Sequence, residues 1–109
     1  MRVWLIGADK AGLDVLEQLA KNPDVEVVVS AQTEQPRAVR DGLLVKVDFV
    51  ERVTPANVNQ LARRIRPDLI LIDSAANDQA LGRVTGGAAL VDALNYEIAA
   101  ASDYPCLVL

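Results

Sequence analysis

Two glycines, Gly7 and Gly12, follow the apolar run Val3-Trp4-Leu5-Ile6 and bracket the stretch Gly7-Ala8-Asp9-Lys10-Ala11-Gly12. A chain that turns there from strand to helix leaves backbone amides unpaired at the helix start, and unpaired amides bind anions, phosphate above all. In such a motif the first glycine makes the tight turn and the last lets the helix pack closely on the strand. A middle glycine lets the backbone approach a pyrophosphate. Asp9 stands at that middle position. A carboxylate about 4 Å from a phosphate repels it by roughly 4 kcal/mol at an effective dielectric of about 20. A helix N-terminus attracts the same phosphate by only about 0.3 to 1 kcal/mol. Asp9 therefore weakens the seat unless Lys10 or a cation intervenes. Two readings stay open: the turn surrounds the phosphates of a dinucleotide, or Asp9 caps the helix amides and takes the anion's place.

Two further segments would face the same crevice. An acidic residue about 20 positions beyond the glycines usually holds the ribose hydroxyls of NAD, and here that stretch reads Ser30, Ala31, Gln32. With no carboxylate there, and with Arg37 and Arg40 downstream, a 2′-phosphate is better tolerated, which favours NADP over NAD. The plainer alternative makes Ser30 a loop cap and leaves the arginines solvated. The second segment runs from Asp73 and Ser74 to Asn77 and Asp78. Asp73 and Asp78 can be read as a carboxylate pair for acid-base or Mg²⁺ chemistry, or as turn residues hydrogen-bonded locally. No partner base or nucleophile accompanies them, so no catalytic residue is expected.

Composition narrows the classes. The 109 residues leave room for one domain. The net charge of −4 and the lack of a clustered basic face argue against nucleic-acid binding. The one dense basic stretch, Arg63, Arg64 and Arg66, falls at a helix end, where cations meet the negative end of the dipole. No histidine and a single cysteine, Cys106, leave neither the usual transition-metal ligands nor a triad base. No metal is expected. Cys106 lies in an apolar run and reads as core of a protein from a reducing compartment. No apolar stretch approaches a bilayer span, so a cytoplasmic chain without membrane insertion is expected.

The elements that would hold the turn follow from periodicity. Apolar runs predict strands at Arg2 to Ile6, Val25 to Val29, Leu43 to Val47, Leu69 to Ile72 and Cys106 to Leu109, with Val50 to Val53 ambiguous. Apolar spacings of three and four predict a helix from Lys10 to Lys21, with Asn22 and Pro23 stopping it. Thr54-Pro55 marks the start of another, through Val58, Leu61, Ala62 and Ile65. A short helix is expected between Gln32 and Arg40 and one turn at Asn77 to Leu81. Thr85, Gly86 and Gly87 form a junction to a four-turn helix carrying Leu90, Val91, Leu94 and Ile98. Trp4 reads as core, and Tyr96 and Tyr104 form no stacking platform for bases. Strands alternating with helices imply an α/β, Rossmann-like, doubly wound parallel sheet of five strands in the order 3-2-1-4-5, with helices on both faces.

The glycine turn, the second strand and the Asp73 segment together resemble the nucleotide-binding regulatory domains of potassium-transport systems, the TrkA-N or RCK type. That resemblance implies a ligand-sensing module, a homodimer, with Gly7, Ala8, Asp9, Lys10 and Gly12 around the phosphates and Asp73 and Ser74 near the base or ribose. The chain is also similar to the N-terminal cofactor domain of Gfo/Idh/MocA and homoserine dehydrogenase-like oxidoreductases. In Gfo/Idh-like enzymes a Glu-Lys-Pro motif follows the fifth strand, and the present sequence ends at Leu109, where that motif would begin. This second resemblance implies a cofactor-binding piece of a longer NAD(P)-dependent enzyme. The third reading is a Rossmann domain without a ligand that serves as an interaction module.

Overall fold

A computed structural model describes residues 1–76 and 87–109. Val3, Trp4, Leu5 and Ile6 are all buried, as an unbroken apolar run must be when helices cover both faces of a parallel sheet. They form β1 (Arg2–Ile6), and the other strands are β2 (Glu26–Ala31), β3 (Phe49–Val50), β4 (Leu69–Ile72) and β5 (Cys106–Val108). The helices are α1 (Ala11–Leu19), α2 (Arg37–Arg40), α3 (Val58–Ile65) and α4 (Gly87–Ala101). All strand pairs are parallel, and the order is β3-β2-β1-β4-β5. This is the Rossmann-like α/β arrangement that the alternation of elements predicts. No helix among the described residues is long and apolar enough to cross a membrane.

Side-chain alternation divides the core in two. Trp4, Ile6, Ile70 and Ile72 face Val58, Leu61, Ala62 and Ile65 of α3 and Ile98 of α4. Val3, Leu5, Val29, Ala31 and Leu71 face Leu16 of α1 and Ala38 of α2. Each large apolar side chain so buried contributes roughly 1.5 to 3 kcal/mol against its exposed state. Arg63 and Arg64 occupy the last turn of α3, as expected of cations at a helix end, and Arg66 closes it in the left-handed region at φ 56°. The Arg64 guanidinium also lies 5.9 Å from the centre of the Phe49 ring.

Local signals were misplaced at three points. The third strand lies at Phe49–Val50, not at Leu43 to Val47. Gly42, at φ +80°, ends α2, and the amides of Leu43 and Leu44 both donate to the Ala38 carbonyl. Those amides close a helix, so they cannot enter a ladder, and Val45 is left 97% exposed. The helix expected to begin at Thr54-Pro55 starts three residues later as α3. Thr54 and Asn57 first build a turn, in which the Thr54 amide donates to Asn57 Oδ1 at 2.7 Å and the Val58 amide to the Thr54 carbonyl at 3.0 Å. Gly87, expected in a junction, is the first residue of α4. The turn expected at Asn77 to Leu81, the Thr85-Gly86 junction and Asp78 lie outside the described residues.

Cys106 packs partly against the α3 and α4 side of the sheet. Burial pushes its thiol up from 9.0 to about 11. Because the fold favours the neutral thiol, this contribution to stability is complete below pH 9 and is lost as the pH climbs toward 11. Alkylation of the native protein by iodoacetamide should accelerate with pH through about 11. A profile already at its plateau by pH 9.5 would mean that β5 does not cover the thiol.

Candidate functional site

Gly7 carries the chain out of β1 at φ +86°, a conformation closed to most side chains. Its amide donates to the Ser30 carbonyl at 2.8 Å, which ties the turn to the end of β2. The register of β1 and β4 pairs Ile6 with Ile72, so the residue after β4 emerges beside the turn. That residue is Asp73, fully buried, whose amide donates to the Ile6 carbonyl at 2.8 Å. Its Oδ2 accepts hydrogen bonds from the amides of Asp9 at 3.0 Å, Lys10 at 2.9 Å and Gly12 at 2.9 Å. Oδ1 accepts from the Ala75 amide at 2.8 Å. The free amides at the start of α1 thus converge on a carboxylate delivered from the end of the neighbouring strand, β4. Hydrogen bonds of this charge-assisted kind contribute about 1.5 to 3 kcal/mol each.

Both glycines make room for this contact. A Cβ at Gly12 would lie 2.6 Å from Asp73 Oδ2 and 2.9 Å from the Gly7 carbonyl oxygen. A Cβ at Gly7 would lie 3.1 Å from the Cβ atoms of Asp73 and Ala76. The segment after β4 is therefore pressed directly onto the glycine turn. Gln32 donates from Nε2 to the Ala76 carbonyl at 2.9 Å, bridging the ends of β2 and β4. On the opposite side Asn95 of α4, fully buried, donates to the Ser74 carbonyl at 3.3 Å.

No family model, curated protein or solved structure matches the chain.

The expected site residues divide accordingly. Asp9 does not cap α1, whose N-cap, Lys10, makes no side-chain cap hydrogen bond. Asp9 Oδ1 instead accepts from the Arg37 amide at 2.9 Å, and the carbonyl of buried Ala8 accepts from the Ala38 amide at 3.0 Å. The turn thus supplies the cap of α2, which the preceding Pro36 has no hydroxyl or carboxylate to provide. Positive φ at Gly7 turns the chain so that Asp9 faces α2, and the anion position goes to Asp73. Ser30 is neither a loop cap nor open to a ribose. It is 1% exposed within β2, and its Oγ accepts from Trp4 Nε1 at 2.9 Å. Strand parity explains this: Ser30 shares the side of the sheet to which Trp4 belongs. Arg37 projects from the start of α2, with Nε 3.2 Å from the Asp41 carboxylate.

Beside the closed turn a crevice of about 290 Å³ remains open. Lys10, Gln32, Thr33, Arg37 and Arg40 line it, together with Asp9 and Glu51. It joins the glycine turn to α2 and the end of β2. Two participants lie beyond sequence reading, the Gln32 bridge and buried Asn95, because only the proximity of the β2 and β4 ends and the packing of α4 bring them to the segment after β4. Asp73 did carry a signal: it is the one carboxylate directly following the buried run Leu69-Ile70-Leu71-Ile72. Its target was hidden because it lies 61 to 64 residues away along the chain.

Proposed function

We propose that this chain is a non-catalytic Rossmann-type interaction module whose glycine turn is satisfied internally and holds no dinucleotide pyrophosphate. The observation that carries this reading is the Asp73 carboxylate on the amides of Asp9, Lys10 and Gly12. A pyrophosphate would need the same three donors. It would have to displace an anion that is already tethered, and so give up translational freedom that Asp73 no longer has to lose. The Gln32 to Ala76 bridge also crosses the path between the β2 and β4 sides, which an extended dinucleotide would have to span.

Thermal unfolding with and without millimolar NAD(H), NADP(H), ATP and ADP tests the proposal. A ligand at about 100 times its dissociation constant stabilises by roughly 2.7 kcal/mol, which raises the midpoint of a small domain by several degrees. The expected result is an unchanged midpoint with every nucleotide. A rise of several degrees with any of them would overturn it.

One observation favours a second reading, nucleotide sensing of the TrkA-N type: the crevice lined by Lys10, Arg37 and Arg40 remains open beside the sealed turn. The adenosine end of a nucleotide would lie there without using the turn amides. The absence of a carboxylate at Ser30, Ala31 and Gln32 favours NADP over NAD in that case. That reading requires NADP(H) to raise the midpoint more than NAD(H).

A further inference from the structure

We infer that the outer edge of β5 is where two copies of this chain pair, as antiparallel β5 strands about a two-fold axis at Leu107, so that their sheets join into one. This rests on the interaction-module reading proposed above and names its partner. β5 is the last strand in the order β3-β2-β1-β4-β5. Its Pro105 carbonyl accepts from the Ile70 amide at 2.8 Å, and its Leu109 amide donates to the Ile72 carbonyl at 2.9 Å. Backbone groups alternate between the two sides of a strand, so residues 105, 107 and 109 direct theirs to β4. The N–H and C=O groups of Cys106 and Val108 therefore point outward. They have no partner on that side among the described residues.

The two edges of the sheet are not alike. β3 is two residues long and lies between Asp48 and Glu51, and short edges flanked by charge resist pairing. Residues 104–109 carry no charged side chain, although the chain as a whole has a net charge of −4. Two copies thus meet at β5 without like-charge repulsion, and a strongly charged partner finds nothing there to complement it. Proline often guards an edge, but the N–H that Pro105 lacks belongs to the β4 side, which leaves the outer ladder whole.

Register decides what fills the interface. With Cys106 opposite the partner's Val108, and Val108 opposite the partner's Cys106, each pair exchanges both of its N–H···O=C bonds. Leu107 then faces the partner's Leu107 at the intervening non-hydrogen-bonded site, where side chains approach most closely. Leu107 is in register with Leu71, whose side chain belongs to the α1 side of the sheet. On that side Leu69 and Leu109 are only partly buried, and Leu107 is 58% exposed. The large apolar side chain that β5 leaves in water thus falls on the axis, where pairing withdraws it from water in both copies.

Sedimentation velocity from micromolar to millimolar chain tests the pairing, on the wild type, Leu107→Lys, Leu107→Glu and, at the other edge, Val50→Lys. The expected result is a reversible dimer for the wild type and for Val50→Lys. Leu107→Lys and Leu107→Glu should each weaken association by at least about tenfold, because like charges directly opposite each other repel. An equimolar mixture of the two should dimerise again, because opposite charges then meet at the axis. Thermal midpoints of the dilute variants check that each one folds, as the exposure of Leu107 allows. A dimer that survives both Leu107 variants, or a mixture that stays monomeric, would overturn the pairing. A wild type that is monomeric throughout would overturn it too and leave the edge to a strand of another protein. These outcomes are read from mass alone, so they stand apart from the nucleotide shifts that test the proposed function.

Discussion

Replacing Asp73 with alanine is expected to destabilise the protein by about 3 to 5 kcal/mol, because it strips several amides of a charged acceptor, at about 1 to 3 kcal/mol for each left unsatisfied, read as a lower denaturation midpoint in urea. The carboxylate is the acceptor for the amides of Asp9, Lys10, Gly12 and Ala75. Water will enter the space left by the side chain and recover part of that cost, which keeps the total below a simple sum. Asp73→Asn preserves the volume and one oxygen, so its loss should be smaller, about 1 to 3 kcal/mol. If Asp73→Ala changed stability by less than about 0.5 kcal/mol, as a surface substitution does, Asp73 could not be holding the turn.

Gly12→Ala sets two effects against each other. Gly12 is the second residue of α1, and alanine inside a helix is favoured over glycine by about 1 kcal/mol. Against that, the new methyl would lie 2.6 Å from Asp73 Oδ2 and 2.9 Å from the Gly7 carbonyl oxygen. Neither neighbour is the free end of a flexible side chain. Asp73 is held by four amides and Gly7 by the Ser30 carbonyl. Overpacking of this kind costs about 1 to 3 kcal/mol and sometimes more, so the expected net effect is a loss. A double-mutant cycle isolates the contact. Combined with Asp73→Ala, Gly12→Ala should cost less than it does alone, because the nearer clash is gone. The coupling energy should fall within the roughly 0.5 to 3 kcal/mol typical of residues in contact. Additive losses, or a stabilising Gly12→Ala, would mean that the segment after β4 does not press on the turn.

β1 and β4 were readable to the residue, because an unbroken run of four apolar residues between polar ends has few other ways to be buried. β3 was not, because Leu43 to Val47 carries the same local pattern. The pair Asp41-Gly42 did announce a helix end. What diverted the following residues was the Ala38 carbonyl waiting for the amides of Leu43 and Leu44. Ser30 was misread for a related reason. Its position at the end of β2 was correct, but the side of the sheet it faces brought it under Trp4.

By itself, the sequence determined the order of strands and helices, the parallel sheet that follows from it, and a glycine turn able to hold an anion. Each of these depends on side-chain periodicity or on backbone freedom at single residues, and both are local properties. Which anion fills the turn was decided only by tertiary structure. Asp9 lies next to the free amides in the chain, whereas Asp73 lies next to them in space, because β4 runs alongside β1 with Ile72 opposite Ile6. Gly7 at φ +86° turns the nearer carboxylate toward α2. Strand register is a long-range property set by how two buried faces pack, and a one-residue slip would carry Asp73 away from the turn.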